Sequence, residues 1–213
     1  MNKYSNHAVK TMTERVSINT VFERFESDIK GKTIVLPTTK NKGLTGQFLE
    51  QLVGIPLSSE CLDCTDGELK LFPLKKKKNS YWTPKETIAI TMRGVVTTTH
   101  IPFEESDLFK KLSNTLLVSY YREGDNVTFM NATLMNKMSH ESLYSIFEED
   151  YNKITQYYRE HGVSQSPRND PEYLSSTING TYIQGRTKGQ GGSTRTVAFY
   201  FKSDFVNEVL LQK

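Results

Sequence analysis

The stretch Cys61-Leu62-Asp63-Cys64-Thr65-Asp66-Gly67-Glu68-Leu69-Lys70 gathers acids and a lysine at spacings that chemistry could use. Asp66-Gly67 is a hairpin turn signal. With Cys64 to Gly67 as the loop, Asp63 and Glu68 face each other at its base, their Cβ atoms roughly 5 Å apart. Two carboxylates at that separation repel unless a cation lies between them, and oxygen ligands of this kind suit Mg2+. Lys70 lies two residues beyond Glu68, so on a strand both side chains project from one face. An ammonium there can orient a water and stabilise charge developing on a phosphate. Glu-x-Lys on a strand is also a common solvated pattern. The upstream acid and the apolar run Leu71-Phe72, ended by Pro73, turn it into the residue set that metal-assisted phosphodiester cleavage needs.

Rival chemistries find less support. Cys61-x-x-Cys64 has no second CxxC or HxxxH to complete a zinc site. His7, His100, His140 and His161 show no ligand spacing. Basic residues are unevenly placed: Lys75 to Lys78 is an unbroken run, and Arg186, Lys188, Arg195 and Lys202 fall between Glu172 and Asp204 with no acid among them. Such patches suit a polyanion.

The elements that must position these residues follow from periodicity. A weak helical signal spans Thr13 to Phe25, and Ile34-Val35-Leu36 is an apolar triplet stopped by Pro37. Leu44, Phe48, Leu49, Leu52 and Val53 recur at helical spacing, with Gly54 as the stop. Strands are expected at Glu68 to Phe72, Glu86 to Met92, Thr115 to Tyr121 and Val127 to Leu134. A long helix runs from a Ser139 cap to Gly162, with Leu143, Phe147, Tyr151, Ile154 and Tyr158 on one stripe. Gln165 to Asp170 reads as a polar loop. Strands at Thr181 to Gln184 and Thr196 to Phe201 precede a final helix capped by Ser203. The sum is an α/β (α+β) chain with a central mixed sheet flanked by helices.

Several separated motifs, in order, resemble the MutH and Sau-type endonuclease family, which comprises a mismatch-repair nicking enzyme and restriction enzymes acting at GATC. The resemblance is carried by Lys42-Gly43-Leu44-Thr45-Gly46-Gln47-Phe48-Leu49-Glu50, then Gly54, Asp63 and Glu68-Leu69-Lys70. It continues through Phe109-Lys110-Lys111-Leu112, Tyr182-Ile183-Gln184-Gly185-Arg186-Thr187-Lys188 and Ala198-Phe199-Tyr200-Phe201-Lys202. It implies a restriction-endonuclease-like core with Asp63 and Glu68 as Mg2+ ligands, helped by the Leu69 carbonyl. It also implies that Lys70 positions or activates the attacking water, that Glu50 adds a carboxylate near a second metal, and that Lys111, ahead of Lys110, approaches the scissile phosphate. Arg186, Lys188, Gly189 and Lys202 are the implied DNA contacts, with Lys188 as base reader and the glycines at 185, 189, 191 and 192 allowing close backbone approach. The span from Asp63 to Glu68 is shorter than in the family's hairpin, so Asp66, on the strand face of Glu68 and Lys70, stands as a rival first ligand.

The 213 residues, 36% hydrophobic and 24% charged, suit one domain over residues 1–213, with 1–29 as an N-terminal helical extension. No apolar run approaches the ~20 residues that span a bilayer, and the N-terminus lacks a signal-peptide stretch. With only two cysteines, a cytoplasmic protein is expected. The resemblance leaves two functions: a Mg2+-dependent endonuclease on double-stranded GATC sites, or a non-catalytic regulatory copy of the same fold. Either is compatible with a homodimer on DNA or with pairing to a second copy.

Overall fold

The computed structural model describes residues 14–37, 41, 43–56, 60–78, 81–92, 99–163, 177–188 and 196–212. Ser17 caps the first helix, α1 (Ile18–Arg24), by accepting the Thr20 N–H, and the chain widens into a π turn over Phe25–Ile29. Strand β1 (Thr33–Val35) follows, then α2 (Leu44–Leu52), β2 (Glu68–Lys76), β3 (Trp82–Pro84) and β4 (Ile88–Ala89). Next come α3 (Asp107–Leu112), β5 (Asn114–Glu123), β6 (Asn126–Asn136) and the long α4 (Glu141–His161). The chain closes with β7 (Thr177–Asn179), β8 (Ile183–Lys188), β9 (Thr196–Phe201) and α5 (Ser203–Phe205), which opens into a second π turn.

The strands form two sheets rather than one. A mixed five-stranded sheet has the order β1-β6-β5-β2-β3, with β2 and β5 as its parallel pair; a four-stranded antiparallel sheet has the order β4-β9-β8-β7. The second sheet is the part that period-2 reading alone does not separate, because both sheets alternate alike.

Alternation along the strands sorts the core into two layers. Leu116 and Val118 of β5 pack with Ile18 and Val21 of α1, Phe25 of the π turn and Leu49 of α2. Leu117 between them joins Phe72 and Leu74 of β2 on the other face, against Phe147, Tyr151 and Ile154 of α4 and Phe199 and Phe201 of β9. Helices therefore flank the mixed sheet, and α4 lies between it and the second sheet. The stripe foreseen on α4 is buried at every position, and Gly162, with φ of +70°, ends the helix as expected.

Several boundaries differ from expectation. His140, not Ser139, is the N-cap of α4; the Ser139 hydroxyl instead bonds the Asn136 side chain. Lys202, not Ser203, caps α5. Of the expected strand Glu86 to Met92 only Ile88–Ala89 is regular strand, although the Ile90 and Thr91 N–H groups still donate to the Phe199 carbonyl of β9. The strand foreseen at Thr181 to Gln184 begins at Ile183 instead, because Asp150 takes the preceding backbone into a turn. Its carboxylate, on α4 and buried, accepts the N–H groups of Thr181, Tyr182 and Ile183 at 2.5, 2.8 and 2.7 Å.

Candidate active site

The hairpin that carries Asp63 and Glu68 is built as a tight turn. The Cys64 N–H donates to the Gly67 carbonyl at 2.9 Å, which pairs Asp63 with Glu68 one step outward. Gly67 is required by packing, since a Cβ there would lie 2.6 Å from the Asn114 carbonyl and 2.8 Å from Ile18 Cβ. The N-terminal segment clamps the turn from behind. Arg15 Nη2 donates to the Leu62 and Cys64 carbonyls, both at 2.5 Å, on either side of Asp63. The Thr65 N–H donates to the Val16 carbonyl at 3.0 Å. Asp66 is employed here as well: its Oδ1 accepts the Ile18 N–H at 2.8 Å, at the start of α1. Of the two rival acids, Asp63 is the one placed beside Glu68.

Asp63 and Glu68 hold each other through the backbone. The Asp63 N–H donates to Glu68 Oε2 at 3.3 Å, and the Leu69 N–H donates to Asp63 Oδ2 at 3.0 Å. Glu68 is only 1% exposed. Its other oxygen, Oε1, receives two ammonium groups, Lys70 Nζ at 2.5 Å and Lys111 Nζ at 2.6 Å. Lys70 arrives by the two-residue repeat of β2. Lys111 comes from the last turn of α3, where the Ser106 cap sets the helix start, and it also donates to the Cys61 carbonyl at 2.7 Å. Its neighbour Lys110 points outward to Asp107 at 3.7 Å.

Electrostatics mark the same spot. Burial, then the charge of Glu68, raises the Asp63 carboxyl above the usual carboxylate range against the opposing pull of Lys70 and Lys111. Burial followed by the charge of Asp63 raises Glu50, which α2 brings into the same field. Burial pushes the Cys64 thiol up to about 12, so it is a core group rather than a nucleophile. Crowded acids with raised pKa values favour a cation, and an all-oxygen set matches a hard divalent ion such as Mg2+. Among the described residues no three acid, imidazole or thiol groups gather around one point. The fit is therefore to a two-carboxylate grip by Asp63 and Glu68, with Glu50 acting from a distance.

The residues assigned to DNA contact are less gathered. Arg186 lies on β8, its Nη1 donating to Thr87 Oγ1 at 3.0 Å and its guanidinium 5.1 Å from the Tyr200 ring centroid. Lys202 donates to the Gly180 and Thr181 carbonyls and pairs with Asp204 at 3.0 Å, so it ties the turn before β8. The Lys188 backbone pairs with Thr196 in β8; its side chain lies outside the described residues, as do Gly189, Gly191, Gly192 and the loop Gln165 to Asp170. Gly185 serves packing rather than approach to DNA: a Cβ there would lie 2.6 Å from Ile154 Cγ2 and 2.9 Å from the Tyr158 ring.

Sequence reasoning missed two residues. Arg15 reaches its partners across 47 and 49 residues, with no local signal. Asp150 had one: it is an acid three residues after Phe147 and four before Ile154, on the apolar stripe of α4.

Where the parallel pair of the mixed sheet begins, Glu68 and Lys70 of β2 meet Asp63 of the preceding turn and Lys111 of α3, the residue set that metal-assisted phosphodiester hydrolysis uses. Residues 59–156, which hold Asp63, Glu68, Lys70 and Lys111, match the family described as MutH, DNA mismatch repair enzyme MutH. The resemblance read from the sequence is thus borne out over that span, while Glu50 and residues 182–202 lie outside it. The chain is also similar to a solved restriction endonuclease MvaI–cognate DNA substrate complex, with a TM-score of 0.43 and 11% identity over 90% of this chain and 95% of that one. No curated protein matches the chain.

Proposed function

We propose that this chain is a Mg2+-dependent endodeoxyribonuclease that recognises GATC in double-stranded DNA and hydrolyses one phosphodiester bond per site, leaving a 5′-phosphate. The MutH-family match supports a DNA endonuclease, and the observation that carries the reading is the Asp63–Glu68 pair with Lys70 and Lys111 on one Glu68 oxygen.

Asp63 and Glu68, with the Leu69 carbonyl, would hold the cation, which when bound acidifies water and draws charge off the scissile phosphate. Lys70 orients the attacking water in line with the leaving oxygen. Lys111, anchored by the Cys61 carbonyl, offers its ammonium to charge building on the non-bridging phosphate oxygens. Glu50 adds negative charge at the edge of the site. Arg186 and Lys188 on β8 contact the major groove, where basic side chains pair with guanine O6 and N7. The setting is cytoplasmic, and cutting of both strands needs a homodimer or a second copy.

A supercoiled GATC plasmid in Mg2+ tests this. Wild type should relax or linearise it and Glu68→Ala should not; equal behaviour of the two defeats the catalytic reading.

One observation favours a second reading, a non-catalytic GATC-binding regulatory copy: Glu68 Oε1 is already taken by two ammonium groups. That reading requires selective GATC binding with no cutting under any divalent ion.

A further inference from the structure

The β2–β3 ribbon outruns its sheet. β2 keeps register with β5 only from Glu68 opposite Thr115 to Leu74 opposite Tyr121. Past that point β2 pairs with β3 alone: Lys75 lies opposite Thr83, Lys76 opposite Trp82, and the Lys77 N–H donates to the Tyr81 carbonyl at 2.8 Å. Lys75, Lys76, Lys77 and Lys78 are all exposed, and Tyr81 at the tip is 60% exposed. Among the described residues no ion pair joins any of these lysines to a carboxylate. The ribbon is nonetheless anchored, with Trp82 edge-on to Tyr121 at 4.9 Å and Lys76 Nζ 5.9 Å from the Trp82 ring centroid.

Adjacent ammonium groups repel, and screening or a polyanion relieves the repulsion. Strand alternation places Lys75 and Lys77 on one face of the ribbon and Lys76 on the other. A flat anionic surface would engage only one of those faces. A duplex groove offers a row of phosphates to each, and the major groove, about 12 Å wide, admits a two-stranded ribbon.

We propose that the Lys75–Lys78 ribbon is a second DNA-binding surface, gripping phosphates of the same duplex at a distance from the cleavage site. This rests on the endonuclease reading for the nature of the polyanion. Six residues at ~3.3 Å each separate Lys70 from Lys76, roughly 20 Å along the strand. That corresponds to about six base-pair steps of ~3.4 Å, so the surface acts only on DNA long enough to reach it.

The test is equilibrium binding by fluorescence anisotropy without divalent ion, on labelled GATC duplexes of about 8 and about 30 base pairs over a salt series. Each phosphate contact contributes about 0.9 to the slope of log affinity against log salt. Replacing all four lysines by glutamine should make the slope on the long duplex shallower by about 3.6 if each meets a phosphate, and weaken binding there at least tenfold. The short duplex should bind almost as before, and the four-arginine variant should bind the long duplex like wild type. An unchanged long-duplex slope in the glutamine variant, with wild type binding normally, overturns the ribbon surface and leaves the endonuclease reading standing. Failure of wild type to bind either duplex defeats both.

Discussion

The backbone N–H of Asp63 donates to Oε2 of Glu68 at 3.3 Å, so the second acid is held by the peptide that carries the first. With the Leu69 N–H on Asp63 Oδ2, the two carboxylates are fixed by the hairpin itself. Preorganisation of this kind favours a cation site, because the two carboxylates need not be gathered when the ion binds.

Lys111 should matter to the chemical step more than to binding. Lys111→Ala is expected to lower single-turnover cleavage by about 10²–10³-fold, the usual cost of one preorganised donor, while DNA affinity changes little. Lys110→Ala, at an exposed position paired with Asp107, should cleave normally. Equal losses from the two variants would remove Lys111 from the site.

The acids on either side of the turn should separate by readout. Asp66→Ala deletes the acceptor for the Ile18 N–H and should cost about 1 kcal/mol of stability, as lost caps do, with cutting retained. Asp63→Ala should abolish cutting. Urea titration together with plasmid nicking decides between them, and cutting that depends on Asp66 instead would reverse the assignment.

Arg15 supports Asp63 through the carbonyls on either side of it. Arg15→Ala frees the Leu62 and Cys64 carbonyls, with an expected loss of about 1–3 kcal/mol in urea unfolding. It should also raise the Mg2+ concentration that gives half-maximal cutting. A lower midpoint with unaltered Mg2+ dependence would make Arg15 a fold residue only.

Raised carboxyl pKa values set the pH trend. Because Asp63 and Glu50 hold protons more tightly folded than unfolded, the metal-free protein should be most stable at low pH with respect to these groups. That contribution is lost as pH rises from about 4 through their raised values. Asp63→Asn keeps an acceptor for the Leu69 N–H but removes the charge, so in EDTA it should melt higher than wild type at neutral pH and alike at acid pH. A lower melting point at neutral pH would contradict the electrostatic account.

What could be read from sequence was local. The Asp63–Glu68 apposition follows from a turn signal, Lys70 from strand alternation, and the buried face of α4 from helical spacing. Lys111 entered only through the family resemblance, because its route to Glu68 crosses 43 residues and depends on how α3 docks on β5. Arg15 and the division into two sheets depend in the same way on long-range packing. Gly185 shows the opposite failure: a loop-like residue whose reason is the helix behind it.

α4 spans 21 residues, ~31 Å of rod. Near its start the Tyr144 hydroxyl holds the Leu112 carbonyl, next to Lys111; further along, Asp150, Ile154 and Tyr158 seat the strand bearing Arg186. The rod works as a caliper, with one jaw on each task. Adding a single residue to its middle would turn one jaw by about 100° against the other, leaving two intact halves that no longer address the same stretch of substrate.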